Sequence, residues 1–375
     1  MAWAKSTQGT ARYDLTASGV ADTVTPLPYA GDLGEAAHAN ADAWRGAIET
    51  ADQCSRTARN QAQEAFVAAV AERYGVASDQ VTPTMGASLA ITHVMLSMVR
   101  PGDHVIVERP TYEALHRVPE LLGANVSRLD RRFDDGWAVV PDRLARILTP
   151  RTRAIVLTNL HNPSGVAIDR ATLTEITDLA ARVGAFVLVD EVYLDYCFPD
   201  ADDAELAPAC RIADNCISWS STTKCFGFSA LRAGWIVAGD PQASRALRTT
   251  TDYLFVDPPT ASMQLGRRVL AEAEALTSHA AAITADGLAA VDDWLTREKR
   301  VGWVRPRAGI CGALRLPELM QDVAFAAHLR ERYDTQVVPG TFFESPGVVR
   351  MGFGLPRPTL EEALTNITAA LDDLT

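Results

Sequence analysis

Short apolar runs alternate with longer amphipathic stretches through the middle of the chain. The runs are nearly continuous and rich in Val and Ile, which is typical of strands buried on both faces of a sheet. They comprise residues 104–108, 154–158, 185–189, 216–219 and 234–238. Residues 171–183, between two of these runs, repeat apolar positions at helical spacing. This alternation predicts βαβ units and a largely parallel sheet.

Further helices and strands are predicted on either side of this core. Helical patterns occupy residues 60–74, 87–99, 260–298 and 360–374, and strand patterns occupy residues 313–316 and 347–351. We therefore predict a large α/β domain over residues 40–278. A smaller α+β domain would combine the N-terminal segment, residues 1–39, with residues 279–375.

The composition is that of a globular protein and excludes several classes. Of 375 residues, 47% are hydrophobic and 22% are charged, which argues against disorder. The net charge of −12 argues against nonspecific binding to nucleic acids or membrane surfaces. No stretch approaches the length of a membrane-spanning helix, and the N-terminus shows no signal pattern. The six cysteines are scattered without a C-x-x-C pair, which predicts reduced thiols in a cytoplasmic protein.

Polar residues follow four of the apolar runs. Tyr112 comes after the first run and Asn162 after the second. Asp190 and Tyr193 come after the third, and Lys224 after the fourth. Ligands of open α/β sheets bind beyond the carboxyl ends of the strands, so we expect these side chains to converge.

Lysine is rare in this chain, which gives Lys224 particular interest. Only Lys5, Lys224 and Lys299 are lysines among the 35 basic residues, and the others are arginines. Lys5 lies in the N-terminal tail and Lys299 in a charged run, whereas Lys224 lies between two apolar segments. Arginine cannot replace a lysine that must form a Schiff base, because the guanidinium stays protonated.

Pyridoxal 5′-phosphate (PLP) is a ligand that suits all five side chains. A lysine amine can form a Schiff base with its aldehyde, and an aspartate can pair with its pyridinium nitrogen. A tyrosine hydroxyl and an asparagine amide can donate to the ring oxygen. A second aromatic side chain can stack on the ring face.

Two further groups of residues could bind anions. Gly86, Ala87 and Ser88 open a predicted helix, whose N-terminus presents free N–H groups to a phosphate. Ser221 and Arg232 flank Lys224 and could add a hydroxyl and a guanidinium. Arg350 stands at the centre of an apolar strand pattern and could hold a substrate carboxylate. Each of these residues, taken alone, could equally have a structural role. Their joint occurrence at strand and helix ends favours a binding site.

In combination, these motifs resemble the fold-type I PLP-dependent enzymes, and among them the class I/II aminotransferase family. The matching motifs are residues 162–165, residues 190–193, and residues 221–224 followed by Arg232. The resemblance covers nearly the whole chain from about residue 79 onward. It implies the type I PLP-dependent transferase fold, with a large domain built on a mainly parallel sheet flanked by helices. It also implies a homodimer with active sites at the subunit interface.

The resemblance also assigns roles to individual residues. Lys224 would be the Schiff-base lysine and proton shuttle, with Asp190 at the pyridine nitrogen. Asn162 and Tyr193 would bond the ring oxygen, and Tyr112 would stack on the ring. The phosphate would be held by Gly86, Ala87, Ser88, Ser221, Thr223 and Arg232. Arg350 would bind the α-carboxylate of the substrate, with Asn162 and His161 beside it.

Three departures from the family pattern affect the expected substrate. His161 stands where the family often has asparagine, and we expect its side chain to face the same crevice. Residues 52–59 offer no tyrosine, which the family commonly has upstream of the glycine loop. Residues 16–20 and 26–29 also differ from the usual opening of the family.

These observations predict a PLP-dependent aminotransferase. It would act on an amino acid through the Lys224 Schiff base and α-proton abstraction, with ping-pong transfer to a 2-oxo acid. β-Elimination as in C–S lyases, decarboxylation and oxidative deamination begin with the same steps and stay open as alternatives. A dinucleotide-binding oxidoreductase is disfavoured because no Gly-x-Gly-x-x-Gly motif is present. A PLP-sensing regulator would need a DNA-binding domain, and no basic recognition helix precedes the glycine loop.

Overall fold

The computed structural model of the chain describes residues 10–20, 56–197 and 206–374. Lys5, residues 26–29 and residues 52–55, which were named above, lie outside the described residues.

A seven-stranded sheet forms the centre of the larger part of the molecule. Its strands are β2 (Val81–Thr84), β3 (His104–Arg109), β4 (Asn125–Asp130), β5 (Thr152–Thr158), β6 (Phe186–Asp190), β7 (Cys216–Ser221) and β8 (Gly234–Ala238). Their order across the sheet is β2-β8-β7-β6-β5-β3-β4. Every neighbouring pair is parallel except the two that involve β8. The predicted, mainly parallel sheet is therefore confirmed.

Helices cover both faces of this sheet. They are α1 (Arg56–Tyr74), α2 (Ala87–Met98), α3 (Glu113–Leu121), α4 (Pro141–Ile147), α5 (Arg170–Ala181), α6 (Pro241–Leu254) and α7 (Thr260–Ala271). Apolar residues of α2 and α6 pack against one face, with Ile91 and Leu247 fully buried there. Residues of α4 and α5 pack against the other, where Leu144 and Leu173 are buried. This double covering explains why the central strands are apolar at almost every position.

A second, antiparallel sheet belongs to the C-terminal part of the chain. Its strands are β9 (Gly302–Trp303), β10 (Cys311–Arg315), β12 (Val338–Pro339) and β13 (Val348–Gly352), in the order β12-β13-β10-β9. The helices α8 (Ala273–Leu295), α9 (Asp322–Tyr333) and α10 (Arg357–Leu374) accompany it. The short strand β1 (Tyr13–Asp14) pairs in parallel with β11 (Thr335–Gln336), which attaches the N-terminal segment to this part.

Helix α8 takes part in two hydrophobic cores, one in each part of the molecule. Its first turns, with Leu276 and Ala280, pack into a core shared with α1 and α7. Its last turns, with Leu288 and Trp294, pack into the core of the C-terminal part. The predicted domain boundary at residues 278 and 279 falls inside this helix. The long helical stretch that we predicted over residues 260–298 is divided, because α7 ends at Ala271 before α8 begins at Ala273.

In the described ranges, each helix is either too short or too polar to cross a lipid bilayer.

Candidate active site

A cavity of about 390 Å³ lies beyond the carboxyl ends of the parallel strands. It brings together most of the residues that the sequence nominated: Ala87, Ser88, Tyr112, Asn162, Asp190, Tyr193, Ser221, Thr223, Lys224, Arg232 and Arg350. Strand ends place many of these side chains. Asp190 is the last residue of β6, and Tyr112, Asn162 and Lys224 follow within four residues the ends of β3, β5 and β7.

Asp190 is a carboxyl group in a nearly water-free position. It is 6% exposed, and burial raises its pKa to about 7, although a hydrogen bond from the Val192 backbone N–H opposes this effect. That N–H donates to Asp190 Oδ1 at 3.2 Å. A buried carboxyl group with a raised pKa gains most from a cationic partner, because the partner compensates for the lost hydration.

The side chain of Lys224 lines the cavity. Its Nζ donates a hydrogen bond to Ser18 Oγ at 2.8 Å and lies 5.9 Å from the centroid of the Tyr193 ring. Tyr193 is buried, and burial raises the pKa of its hydroxyl, so this group keeps its proton and can donate. Thr16 and Ser18 both line the cavity. The sequence marked residues 16–20 as unusual but did not connect Ser18 with Lys224.

The N-terminus of α2 and the chain around Arg232 form one end of the cavity. Gly86 precedes the first residue of α2 and has a φ of 79°. A Cβ atom at Gly86 would lie 2.5 Å from Arg232 Nη2, so only glycine lets the guanidinium approach the helix end. Ser88, Ser221 and Thr223 add hydroxyl groups around the same space. These donors, with the free N–H groups of the helix, make a site for a phosphate.

Arg350 lies at the other end of the cavity, on strand β13. Its side chain is largely buried, and Nη1 donates to Asn162 Oδ1 at 3.2 Å. Nη2 donates to the carbonyl oxygen of Thr16 at 2.8 Å, and the guanidinium lies 5.2 Å from the ring centroid of Phe343. Within the described residues Nε has no hydrogen-bond partner, and the hydrogen bonds of this arginine go to neutral oxygens. A buried guanidinium with only neutral acceptors is suited to an incoming carboxylate.

His161 was expected to face the cavity, but it is not among the residues that line it. Its ring is buried, with Nδ1 at 2.6 Å from Ser164 Oγ and Nε2 at 2.8 Å from the carbonyl oxygen of Pro110. Burial, together with the positive charge of Arg131 nearby, lowers its pKa well below the usual value. A neutral ring that is bonded at both nitrogens holds the turn after β5 in place. His161 is therefore placed to support this turn rather than to contact a molecule in the cavity.

A buried ion pair behind the cavity was missed by the sequence analysis. Arg131 Nη1 donates to Glu108 Oε2 at 2.8 Å, and both side chains are fully buried. Thr158 Oγ1 donates to the other Glu108 oxygen at 2.5 Å and accepts a bond from the Asn162 backbone N–H at 3.2 Å. Glu108 and Thr158 are strand-end residues, which is the signal that could have nominated them.

The residues of the cavity fit PLP in their chemistry. The glycine-lined helix end suits its phosphate, and Asp190, with its raised pKa, suits a protonated ring nitrogen. Lys224 supplies the only type of side chain that forms a Schiff base with an aldehyde.

Comparisons with known proteins lead to the same chemistry. The sequence model of the family "Aminotransferase class I and II" matches residues 28–367. The chain is 29% identical over 292 residues to capreomycidine synthase of Streptomyces vinaceus, covering 78% of this chain and 74% of that one. It is 28% identical over 317 residues to the arginine–pyruvate transaminase of Pseudomonas aeruginosa, covering 81% and 79%.

A solved structure of a PLP-dependent aminotransferase from Streptococcus suis has the same fold throughout. It superimposes with a TM-score of 0.89 at 27% identity, covering 100% of this chain and 97% of that one. The predicted fold, cofactor and enzyme class are therefore confirmed. The chain belongs to the class I and II aminotransferases, a family of PLP-dependent enzymes of fold type I.

Proposed function

We propose that this aminotransferase takes the amino group of an amino acid whose α-carboxylate is bound by Arg350, and passes it to a 2-oxo acid bound in the same place. The observation that carries this proposal is the position of Lys224, Asp190 and Arg350 on one cavity. A PLP-dependent reaction at an α-amino acid requires an amine, a buried carboxyl group and a guanidinium that can accept a carboxylate.

Each residue would act through a defined contact. The phosphate of PLP would be held by the helix end at Gly86, Ala87 and Ser88, together with Ser221, Thr223 and Arg232. PLP would supply an aldehyde that bonds the substrate's amino group and a ring that withdraws electrons from the α-carbon. Tyr112 would stack against that ring, while Asn162 and Tyr193 would donate to its oxygen. Asp190, as a carboxylate, would hold the proton on the ring nitrogen.

Proton transfer would fall to Lys224. As a neutral primary amine it would remove the α-proton of the substrate and return it at the cofactor carbon. Arg350 would fix the carboxylate, so that the α-hydrogen points toward Nζ rather than toward the solvent. The amino donor and the 2-oxo acid would use the same arginine in turn, which predicts ping-pong kinetics.

A second candidate is a different PLP-dependent reaction of an amino acid, such as β-elimination, decarboxylation or oxidative deamination. The observation that favours it is that one relative is named a synthase rather than a transaminase. Such reactions share the binding of the carboxylate and the use of Lys224, and they diverge after the α-carbon has lost a substituent.

An amino-acid panel distinguishes the two candidates. The protein loaded with PLP is incubated with single amino acids, both without oxygen and in air, because oxidative deamination requires oxygen. The panel starts with arginine, since one relative is named for that substrate. We expect the cofactor to accumulate in its amine form, together with one equivalent of 2-oxo acid. Release of ammonia or carbon dioxide at catalytic rates, without the amine form, would contradict amino transfer and support the second candidate.

The role of Lys224 has a matched control in the same chain. Borohydride reduction is expected to fix the cofactor on the peptide that contains Lys224. Lys224→Ala is expected to abolish turnover. Lys299→Ala removes an exposed lysine whose Nζ donates to the Leu295 carbonyl oxygen, and it should leave activity unchanged. Full activity of Lys224→Ala would refute the proposed mechanism.

We also propose that the chain acts as a homodimer in the cytoplasm. The exposed side chains of Tyr253 and Val256, at the end of α6, support a subunit contact, because large apolar side chains are seldom left in water together. Sedimentation at several concentrations tests this assembly, and a monomer at all of them would contradict it.

A further inference from the structure

The N-terminal segment reaches the cavity from the C-terminal part of the molecule. Tyr13 and Asp14 pair with β11, and the Leu15 side chain is fully buried in the adjoining core. The Leu15 N–H donates to the Gln336 carbonyl oxygen at 2.9 Å, and its own carbonyl oxygen accepts from the Gly352 N–H at 2.6 Å. Backbone bonds on both sides fix this segment, so the residues that follow Leu15 enter the cavity at a defined position.

The same segment contacts both Arg350 and Lys224. The carbonyl oxygen of Thr16 accepts from Arg350 Nη2, and the Val20 N–H donates to the Lys224 carbonyl oxygen at 3.1 Å. Gly19 lies against the lysine, since a Cβ atom there would be 3.6 Å from Lys224 Cα. Five consecutive residues therefore span the distance from the arginine to the lysine.

Ser18 directs its hydroxyl group into this space. Its Oγ accepts from Lys224 Nζ at 2.8 Å, which is the length of a charge-assisted hydrogen bond. The hydroxyl of Thr16, the other hydroxyl of the segment near the cavity, donates to Asp14 Oδ1 instead. Of these two hydroxyl groups, that of Ser18 contacts the lysine, and it also forms a hydrogen bond with the Tyr193 hydroxyl.

We propose that Ser18 is a positioning residue that holds the primary amine of Lys224 in place for proton transfer. The role rests on the proposed function of Lys224. A lysine amine sits at the end of a flexible four-carbon chain, and ordering it in advance lowers the entropic cost of reaching the α-carbon.

A hydroxyl group suits this task better than a carboxylate or an amide nitrogen would. It accepts a hydrogen bond from an ammonium group and can rotate to donate one to a neutral amine. A lysine that takes up and releases a proton passes through both forms. Ser18 can therefore keep hold of Nζ in each of them without favouring one strongly.

The first test observes the lysine side chain itself and does not depend on turnover. The chain contains three lysines, so protein labelled with ¹³C and ¹⁵N in lysine gives few side-chain signals, and Lys224→Ala assigns the one of interest. In the cofactor-free protein, we expect Ser18→Ala to shift the Lys224 signal, while Ser18→Thr, which keeps the hydroxyl, restores it. Tyr13→Phe removes a hydroxyl from the same segment that bonds to Glu362, and it should leave the signal in place.

The second test measures proton transfer in the loaded enzyme. We expect Ser18→Ala to lower kcat about tenfold, a step of about 1.4 kcal/mol, with little change in KM. The primary isotope effect with an α-deuterated amino acid should rise, because proton transfer becomes more limiting. Ser18→Thr should recover both values.

The outcomes separate this proposal from the function on which it rests. An unmoved Lys224 signal in Ser18→Ala, or an equal shift in Tyr13→Phe, overturns the role of Ser18 whatever reaction the enzyme performs. A normal kcat and isotope effect in Ser18→Ala overturn it as well. If wild-type enzyme does not transaminate but the Lys224 signal responds as expected, the contact stands and only the proposed reaction fails.

Discussion

Arg350 is a buried cation whose hydrogen bonds within the described residues go to neutral oxygens. Replacing it by alanine should remove the carboxylate contact, and truncating one partner of a buried charge pair costs about 2–5 kcal/mol. We therefore expect KM for amino acids to rise at least about 30-fold in Arg350→Ala. Steady-state kinetics measures this change. An amine that lacks the carboxylate is the matched control. It should react slowly, and at the same rate in wild type and in Arg350→Ala.

Asp190 and Glu191 are adjacent buried carboxyl groups with different surroundings. Asp190 lines the cavity, whereas Glu191 Oε1 accepts the Ala209 backbone N–H at 2.7 Å, away from it. Asp190→Asn removes the charge that would hold the ring proton, and we expect kcat to fall by about 10²–10³. Glu191→Gln should keep wild-type kcat at neutral pH, because burial raises the pKa of Glu191 to about 8 and an amide resembles the protonated acid. Equal losses in both variants would contradict the role of Asp190.

The contrast between His161 and Ser18 shows where reasoning about single residues succeeds and where it stops. Lys224, Asp190 and Arg350 could be nominated from sequence because each is chemically unusual at its place in an apolar pattern. His161 was misjudged because a turn can direct a side chain to either side. Ser18 is 206 positions from Lys224 along the chain, and an ordinary serine gives no signal of such a contact.

At the scale of elements, the prediction of the site depended on recognising where the strands end. Four parallel strands, β3, β5, β6 and β7, were recognisable because burial on both faces makes them apolar throughout. The edge strand β4 was missed because only Leu129 of its six residues is buried. The direction of β8 could not be known, since a buried antiparallel strand has the same composition as a buried parallel one.

The turn into α2 gives a prediction at this scale. Gly86→Ala would place a Cβ atom 2.5 Å from Arg232 Nη2 and force the guanidinium away from the helix end. We expect the affinity for PLP to fall at least about tenfold, because a phosphate would lose one charged donor. Equilibrium dialysis of the cofactor measures the change.

Gly102→Ala is the control for this variant. Gly102 also has a positive φ, of 84°, but a Cβ atom there meets nothing within 4 Å. It therefore imposes similar backbone strain without touching the phosphate site. Both variants should lose some stability, and only Gly86→Ala should lose affinity for PLP. Equal affinities in the two variants would contradict the proposed phosphate site.

At the scale of the whole molecule, the site joins the two sheets. Asp190 ends β6 of the larger sheet and Lys224 follows its strand β7, while Arg350 comes from β13 of the smaller sheet. The hydrogen bond between Arg350 and Asn162 connects the two parts of the molecule directly. Helix α8 contributes to a hydrophobic core in each part. A substrate bound through its carboxylate and its amino group would therefore contact both parts at once. The alternation of elements predicted each part, but the contacts between them depend on tertiary packing.

The buried carboxyl groups should also make the stability of the whole fold depend on pH. Burial raises the pKa of Asp190 to about 7 and that of Glu191 to about 8, whereas unfolded carboxyl groups ionise near pH 4. Between these limits the folded chain holds protons that the unfolded chain has lost. The protonated Asp190 and Glu191 therefore make their full contribution to the free energy of unfolding below about pH 4. This contribution is lost as the pH rises toward about 8.

Glu191→Gln isolates the larger part of this effect, because glutamine cannot ionise and keeps the acceptor for the Ala209 N–H. Thermal melts of cofactor-free protein from about pH 5 to about pH 9 should show the Tm of the variant rising relative to wild type, with the difference levelling off above about pH 8. Glu298→Gln is the control: the hydrogen bonds from Arg300 lower the pKa of Glu298, so its difference from wild type should be flat over this range. A flat difference for Glu191→Gln would mean that Glu191 is already ionised in the folded chain, with the burial of its charge compensated by groups that surround it.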